Sequence, residues 1–332
     1  MTTIAHLSDV HLAPLPWPGI TQMFNQRVLG FLNWHVFGRK EHHRRDMLEV
    51  LVADLKQRSF DHLAITGDIV NIALPQEFAQ AVPWLAQLGR PEDLSIVPGN
   101  HDAYTAISMR KGIGTWTPYM RSTAAGAAYA RSLTTEPYTG FPFVRLVGDV
   151  ALVGLASGIP TRPFAAYGTL GSAQRAAFED TLIALSGTGR AIVVLIHHPP
   201  LPGLAAPMRD LTDGEEFAAI LSRREVHLVL HGHNHRNELA YGAGPHGAYP
   251  VVGIASASMA VPTHAPLAQY NCYDFARGAD GWEITMREFA AQAPGGAIKA
   301  LPPRLLAPAD ASAAPAEATA GASDLAVGGK AA

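Results

Sequence analysis

Residues 3–11 read TIAHLSDVH, a short apolar-rich run over Thr3–Leu7 that stops on two metal-binding residue types, Asp9 and His11, one residue apart. A strand buried on both faces has this composition, and in open α/β sheets the loop beyond a strand's C-terminal end carries the site. The same arrangement recurs down the chain. His62–Ile65 runs into Gly67-Asp68, Leu94–Val97 into Gly99-Asn100-His101-Asp102, Ala191–Ile196 into His197-His198-Pro199-Pro200, and Val226–Leu230 into Gly232-His233-Asn234-His235. Phe143–Val147 and Val150–Leu155 are two further apolar runs without such an ending. Helical patterns at Arg45–Lys56, Pro75–Leu88, Ala173–Ser186 and Gly214–Arg223 separate several of the runs, which predicts an α/β fold. The later runs Tyr249–Ile254, Tyr270–Phe275 and Trp282–Phe289 have no helix between them and predict antiparallel strands.

The bulk properties fit a single large core. The chain has 332 residues, 48% of them hydrophobic, and no linker-like stretch before residue 293, so residues 1–293 are expected to form one catalytic domain. From residue 294 the sequence is dominated by Ala, Pro and Gly, and 294–332 is expected to be a disordered tail. Residues 12–43 form an aromatic-rich insertion after the first strand, expected to pack as a lid over the domain. An apolar substrate pocket, a dimer contact and a shallow membrane-surface contact are its alternative roles. A net charge of −3 gives no footprint for general nucleic-acid binding, so a small phosphorylated substrate is the expected partner. One cysteine, Cys272, precludes an internal disulfide. The N-terminus lacks a signal-peptide pattern and no run is long enough to span a bilayer; the expected location is cytoplasmic.

Taken singly, each polar cluster has a structural explanation. Asp9 can cap a turn, Asp68 can open a helix, Asn100 can hold a loop, and His197 can be a hydrogen-bonded core histidine. Together they supply carboxylate, imidazole and amide ligands that suit zinc, manganese or iron, in greater number than one tetrahedral ion can take. Two metal ions are implied.

The ordered set Asp-x-His, Gly-Asp, Gly-Asn-His-Asp, His-His-Pro and Gly-His-x-His resembles the calcineurin-like metallophosphoesterase superfamily. His-His-Pro-Pro and the closing Gly-His-Asn-His are similar to its bacterial class III cyclic-nucleotide phosphodiesterases and glycerophosphodiesterases. The resemblance implies a four-layer αββα sandwich. It also implies that Asp9, His11 and His235 hold one metal, that Asn100, His197 and His233 hold the other, and that Asp68 bridges them. In such a site the two ions activate a bridging hydroxide that attacks a phosphate ester, with a phosphodiester the expected substrate and a monoester or a nucleotide-sugar or lipid pyrophosphate the alternatives. His101 is expected to protonate the leaving oxygen without binding metal. Asp102 is expected either to orient His101 or to cap a helix starting at Ala103. His198 is left as a supporting residue. His6, His62, His227 and His231 are expected to be packing groups, and His35, His42 and His43 of the insertion have no assigned role. A binding module that keeps the fold without turnover is the competing class, and the complete ligand set argues against it.

Overall fold

The computed structural model describes residues 1–106, 111–261, 266–279 and 281–306. Strands β1 (Thr2–Leu7), β2 (His62–Ile65) and β3 (Leu94–Ile96) run parallel to one another at one side of the first sheet. The second sheet begins with β4 (Phe143–Val147) and β5 (Val150–Gly154), an antiparallel pair, and continues in parallel through β6 (Ala191–Leu195) and β7 (Leu228–His231). Its far edge is a hairpin of β8 (Glu238–Gly244) and β9 (Gly247–Gly253), with β9 parallel to β7. The chain then returns to the first sheet as β10 (Gln269–Arg277), antiparallel to β1, followed by β11 (Trp282–Ala291).

Alternation along β6 shows how the layers stack. Ala191, Val193 and Leu195 point into the core shared with the first sheet, while Ile192 and Val194 face the opposite way. That outer face is covered by two helices, Gly171–Leu185 and Gly214–Arg223, through Phe178, Leu182, Phe217 and Leu221. The first sheet is covered by Arg45–Leu55 and Pro75–Leu88, which contribute Met47, Leu51, Phe78 and Trp84. The central strands β1, β2, β3, β6 and β7 are thus buried along their length, which is why they read as continuous apolar runs. The four-layer αββα arrangement expected from the sequence is present.

Three expectations need correction. The run at Tyr249 does not begin an antiparallel series: it is β9, parallel to β7 in the second sheet, and the crossing to the first sheet follows it. Its partner β8, rich in Gly and Ala, carries too little β-branched character to be read as a strand from composition. Residues 294–306, expected in the tail, instead pair with β11 through Ile298–Ala300 and Arg304–Leu305, and Leu306 is buried. The remainder of the expected tail, 307–332, lies outside the described residues. Lastly, no helix starts at Ala103, where the chain forms turns.

The insertion contains a 3-10 helix at Ile20–Met23 and two α-helices, α1 (Arg27–His35) and α2 (Arg39–His42). Its inner face is anchored by buried Trp34 packing with Leu15, Ile72 and Leu74, and by the Arg27 guanidinium, which donates to the carbonyls of Ile72 and Ala73. No helix among the described residues is long and apolar enough to cross a membrane.

Candidate metal centre

The parallel strands β1, β2 and β3 end together, as do β6 and β7, and the two sets of ends meet where the sheets abut. Ser8 bridges to Ser256, Ala257 donates its N–H to Ser8 O at 2.9 Å, and Ser256 Oγ donates to Asp9 O at 2.7 Å. The loops after β1 and β2 stay laced beyond the strands, through Asp9 N to Gly67 O at 3.0 Å and His11 N to Asp68 O at 2.9 Å.

The loops are packed tightly enough that glycine is required. A Cβ on Gly232 would lie 1.9 Å from Ser8 Oγ and 2.4 Å from Asp9 Oδ2, and one on Gly99 would lie 2.2 Å from Asp68 Oδ1. Backbone strain is concentrated at the same place. Of the eight non-glycine residues described with positive φ, five are Asp9, His11, Asp68, His233 and His235. Such conformations cost on the order of 1 kcal/mol or more each and persist where the surroundings enforce them, commonly at functional sites.

All seven residues expected as ligands converge here. Asp9 Oδ1 lies 3.0 Å from His235 Nε2, which lies 3.4 Å from His11 Nε2. On the other side Asn100 Oδ1 lies 3.1 Å from His197 Nε2 and 2.9 Å from His233 Nδ1. Asp68 stands between the groups, its Oδ2 3.4 Å from His197 Nε2 and 4.0 Å from His11 Nε2, while its Oδ1 accepts the His101 N–H at 2.8 Å. Four triads of these residue types are close enough to share an ion: Asp9-Asp68-His197, His11-Asp68-His101, His197-His198-His233 and His11-His43-His235.

The donor set fits cations. Thr66 O accepts the proton on His197 Nδ1 at 2.6 Å, so the second ring proton sits on Nε2, towards Asn100 and Asp68, where a metal ion could replace it. Asp9 Oδ1 is buried with only the His235 ring, at 3.0 Å, to meet it. Burial opposes a charge on His197, yet the Asp68 carboxylate outweighs it and lifts the imidazole to about 9. Asp68 itself is held down, its burial overcome by His197 and His101. A buried cluster of carboxylates that holds a second proton on His197 calls for positive charge, and His/Asp groups of this kind are suited to metal ions.

His101 is differently placed. Its Nδ1 donates to Asn71 O at 2.5 Å and its Nε2 faces Arg39 Nη2 at 3.2 Å; burial lowers the ring to about 4, against the pull of Asp68. Asp102 neither orients this ring nor caps a helix. Its Oδ2 accepts the N–H groups of Asp68 and Gly99 at 2.8 and 2.9 Å, and its Oδ1 those of Ile69 and Val70 at 3.0 and 3.1 Å. Burial and the neighbouring Asp68 push its carboxyl up to about 7 despite those amides. It clamps the Asp68 loop from behind. His198 is also held on both nitrogens, by Ser157 Oγ at 2.8 Å and Ala166 O at 3.1 Å.

Two residues that sequence reasoning passed over stand in the site, and both come from the insertion. The Arg39 guanidinium lies between His11 Nε2 (3.3 Å) and His101 Nε2 (3.2 Å). Burial lowers its pKa and the Asp68 charge raises it. His43, buried, has its ring 4.3 Å from that of His11, with Nδ1 2.9 Å from Ser258 Oγ. The available signal was the direct covalent link from Asp9 and His11 into the insertion, which obliges the chain to return past the same loops.

The sequence pattern of the calcineurin-like phosphoesterases matches residues 2–237. The chain belongs to that family. It is 27% identical over 235 residues to the glycerophosphodiester phosphodiesterase GpdQ of Enterobacter lignolyticus, covering 70% of each chain. It is 26% identical over 186 residues to a Synechococcus sp. protein named "Probable cyclic nucleotide phosphodiesterase", covering 55% of this chain and 61% of that one. In fold it resembles a dimetal phosphatase of Danio rerio, with a TM-score of 0.57 at 12% identity over 90% of this chain and 98% of that one. A yellow lupin purple acid phosphatase is also similar, with a TM-score of 0.52 at 11% identity over 87% of this chain and 51% of that one. The protein is therefore a member of a hydrolase family acting on phosphoric esters, with His/Asp clusters suited to metal.

Proposed function

We propose that this phosphoesterase hydrolyses a phosphodiester at a centre of two metal ions, with Asp9, His11 and His235 holding one, Asn100, His197 and His233 the other, and Asp68 shared. The observation that carries this reading is the position of Asp68, a single carboxylate standing between two converging groups of donors. Bound there, two divalent ions supply Lewis acidity to the phosphoryl oxygens and an activated water.

The chain's own residues do the rest. Strained loops, the Asp102 clamp and the Gly232–Asp9 contact hold the donors in place before substrate arrives, so little reorganisation is required at reaction. Arg39 directs N–H donors at the space beside His101, where they can receive substrate oxygens and offset charge developing on the leaving oxygen. His101, with its proton fixed on Nδ1 by Asn71, presents Nε2 to the same space. It can pass a proton to the leaving group once the negative substrate offsets the burial that keeps it neutral.

A diester in preference to a monoester is supported by the names of the two sequence relatives, both phosphodiesterases. The test is a panel of glycerophosphodiesters, cyclic nucleotides, phosphomonoesters and nucleotide-sugar pyrophosphates, each with leaving groups of graded pKa. The expected result is preference for diesters, and a His101→Ala loss of roughly a hundredfold that shrinks as the leaving group improves. A monoester preference would refute the substrate class, and equal losses on good and poor leaving groups would refute His101 as the acid.

A further inference from the structure

The insertion returns past the first-strand loop on a fixed path. Directly after α2, Ala260 donates its N–H to His42 O at 2.8 Å, Arg44 donates its own to Ser258 O at 3.0 Å, and His43 stands opposite Met259 in an antiparallel bridge. The partner segment, residues 256–260, follows β9 and is itself tied to the Asp9 loop through Ser256 Oγ and the Ala257 N–H. Backbone pairing on both sides therefore sets residue 43 against the frame that carries Asp9, and its side chain is buried.

An imidazole held there meets the ligand set. One ring nitrogen each of His11, His43 and His235 lie within 4.8 Å of one another. The ring centres are 4.3 Å apart for His11 and His43, 5.3 Å for His11 and His235, and 5.4 Å for His43 and His235. Imidazoles that share one ion at about 2.0–2.1 Å place their ring centres roughly 4.5–5.5 Å apart, so small adjustments close the three rings on a common ion. Ser258 Oγ lies 2.9 Å from Nδ1, the kind of contact that fixes the outer nitrogen of a metal-bound imidazole, and Nε2 is left to face an ion. Burial, with Arg39 and His235 beside it, keeps the ring neutral, which is the form that ligates. His198, by contrast, has both nitrogens taken by Ser157 and Ala166.

We propose that His43 is a fifth protein ligand of the ion held by Asp9, His11, His235 and Asp68, and that it makes this the tighter of the two sites. Three imidazoles select zinc or iron there, whereas the Asn100 side, with two imidazoles and an amide oxygen, fills second and admits manganese. The inference rests on the two-ion reading above and adds to it a ligand from the insertion and an order of filling.

The test is zinc K-edge X-ray absorption of chelator-stripped full chain given one equivalent of zinc. Wild-type protein should show three imidazoles on that ion, and His43→Ala two. Chelator competition should find the first zinc at least about tenfold weaker in His43→Ala, the second within about threefold of wild type, and the preference for zinc over manganese at the first site reduced. His43→Phe fills the same space without a donor and should match His43→Ala, which covers the case in which the smaller side chain fails to fold. Two imidazoles on the first zinc of wild-type protein would overturn the proposal, as would a first affinity that neither variant changes, and both results leave a two-ion centre standing. Wild-type protein that never takes up a second ion would refute the two-ion reading and with it the order of filling; the imidazole count on the first ion then still decides whether His43 is a ligand.

Discussion

Asp102→Asn separates a structural clamp from a catalytic partner with a change of one atom. The carboxylate accepts four backbone N–H groups, two on each oxygen. An asparagine keeps one oxygen, and its NH₂ must face either the pair from Asp68 and Gly99 or the pair from Ile69 and Val70. Two buried donors are then left without an acceptor, at about 1–3 kcal/mol each, so the variant should lose roughly 2–6 kcal/mol of stability. The stranded amides belong to Asp68 itself or to the next two residues of its loop, so metal affinity should fall by about ten- to a hundredfold, the usual effect of removing a residue that supports a ligand. Urea unfolding in chelator measures the first quantity and calorimetric metal titration the second. If Asp102 acted by orienting His101, stability would stay within about 1 kcal/mol and kcat alone would fall, in the leaving-group-dependent manner of His101→Ala. That pattern would refute the clamp.

Three further outcomes follow from the structure. Arg39→Ala should keep metal content while raising KM and lowering kcat, and Arg39→Lys should restore only part of the loss, because an ammonium cannot reproduce the guanidinium fork; a wild-type kcat/KM in Arg39→Ala would remove that side chain from substrate binding. His62, bonded to Ser95 Oγ at 2.7 Å, is lowered by burial to about 3, so its contribution is full above the unfolded value near 6.5 and is lost as pH falls from there towards 3. Between neutral pH and about pH 4.5 it should cost roughly 3 kcal/mol, and His62→Gln should flatten that part of the stability profile measured in urea. Ending the chain at residue 293 removes the strands Ile298–Ala300 and Arg304–Leu305 and the buried Leu306, so melting temperature should drop by several degrees; an unchanged melting temperature would show that these strands add nothing to the sheet.

The parts of this molecule written in local pattern were readable from the sequence, and the parts set by long-range packing were not. Apolar runs ending in Asp, His and Asn identified β1, β2, β3, β6 and β7, because doubly covered strands leave no polar face to confuse the signal. The same endings supplied the candidate ligands, which parallel strands bring together, and the resemblance to the calcineurin-like family selected seven among them. Asp102 was misjudged because a neighbour in sequence, His101, drew attention from the amides of residues 68–70, which only the fold brings near. Arg39 and His43 were overlooked for the same reason: the insertion is apolar and unpatterned as a string, and its return over the β1 loop exists only in three dimensions. The assignment of β9 to the second sheet likewise rests on a pairing with β7 that no turn residue announces.

The central claim is a two-ion centre shared through Asp68, and metal stoichiometry tests it most directly. Protein stripped by a chelator and reloaded with manganese, zinc or iron should bind two ions per chain and regain phosphodiesterase activity as the second site fills. Asp68→Ala should bind less than one ion per chain and stay inactive. A single ion per chain in fully active wild-type protein, or full activity of metal-free Asp68→Ala, would contradict the account.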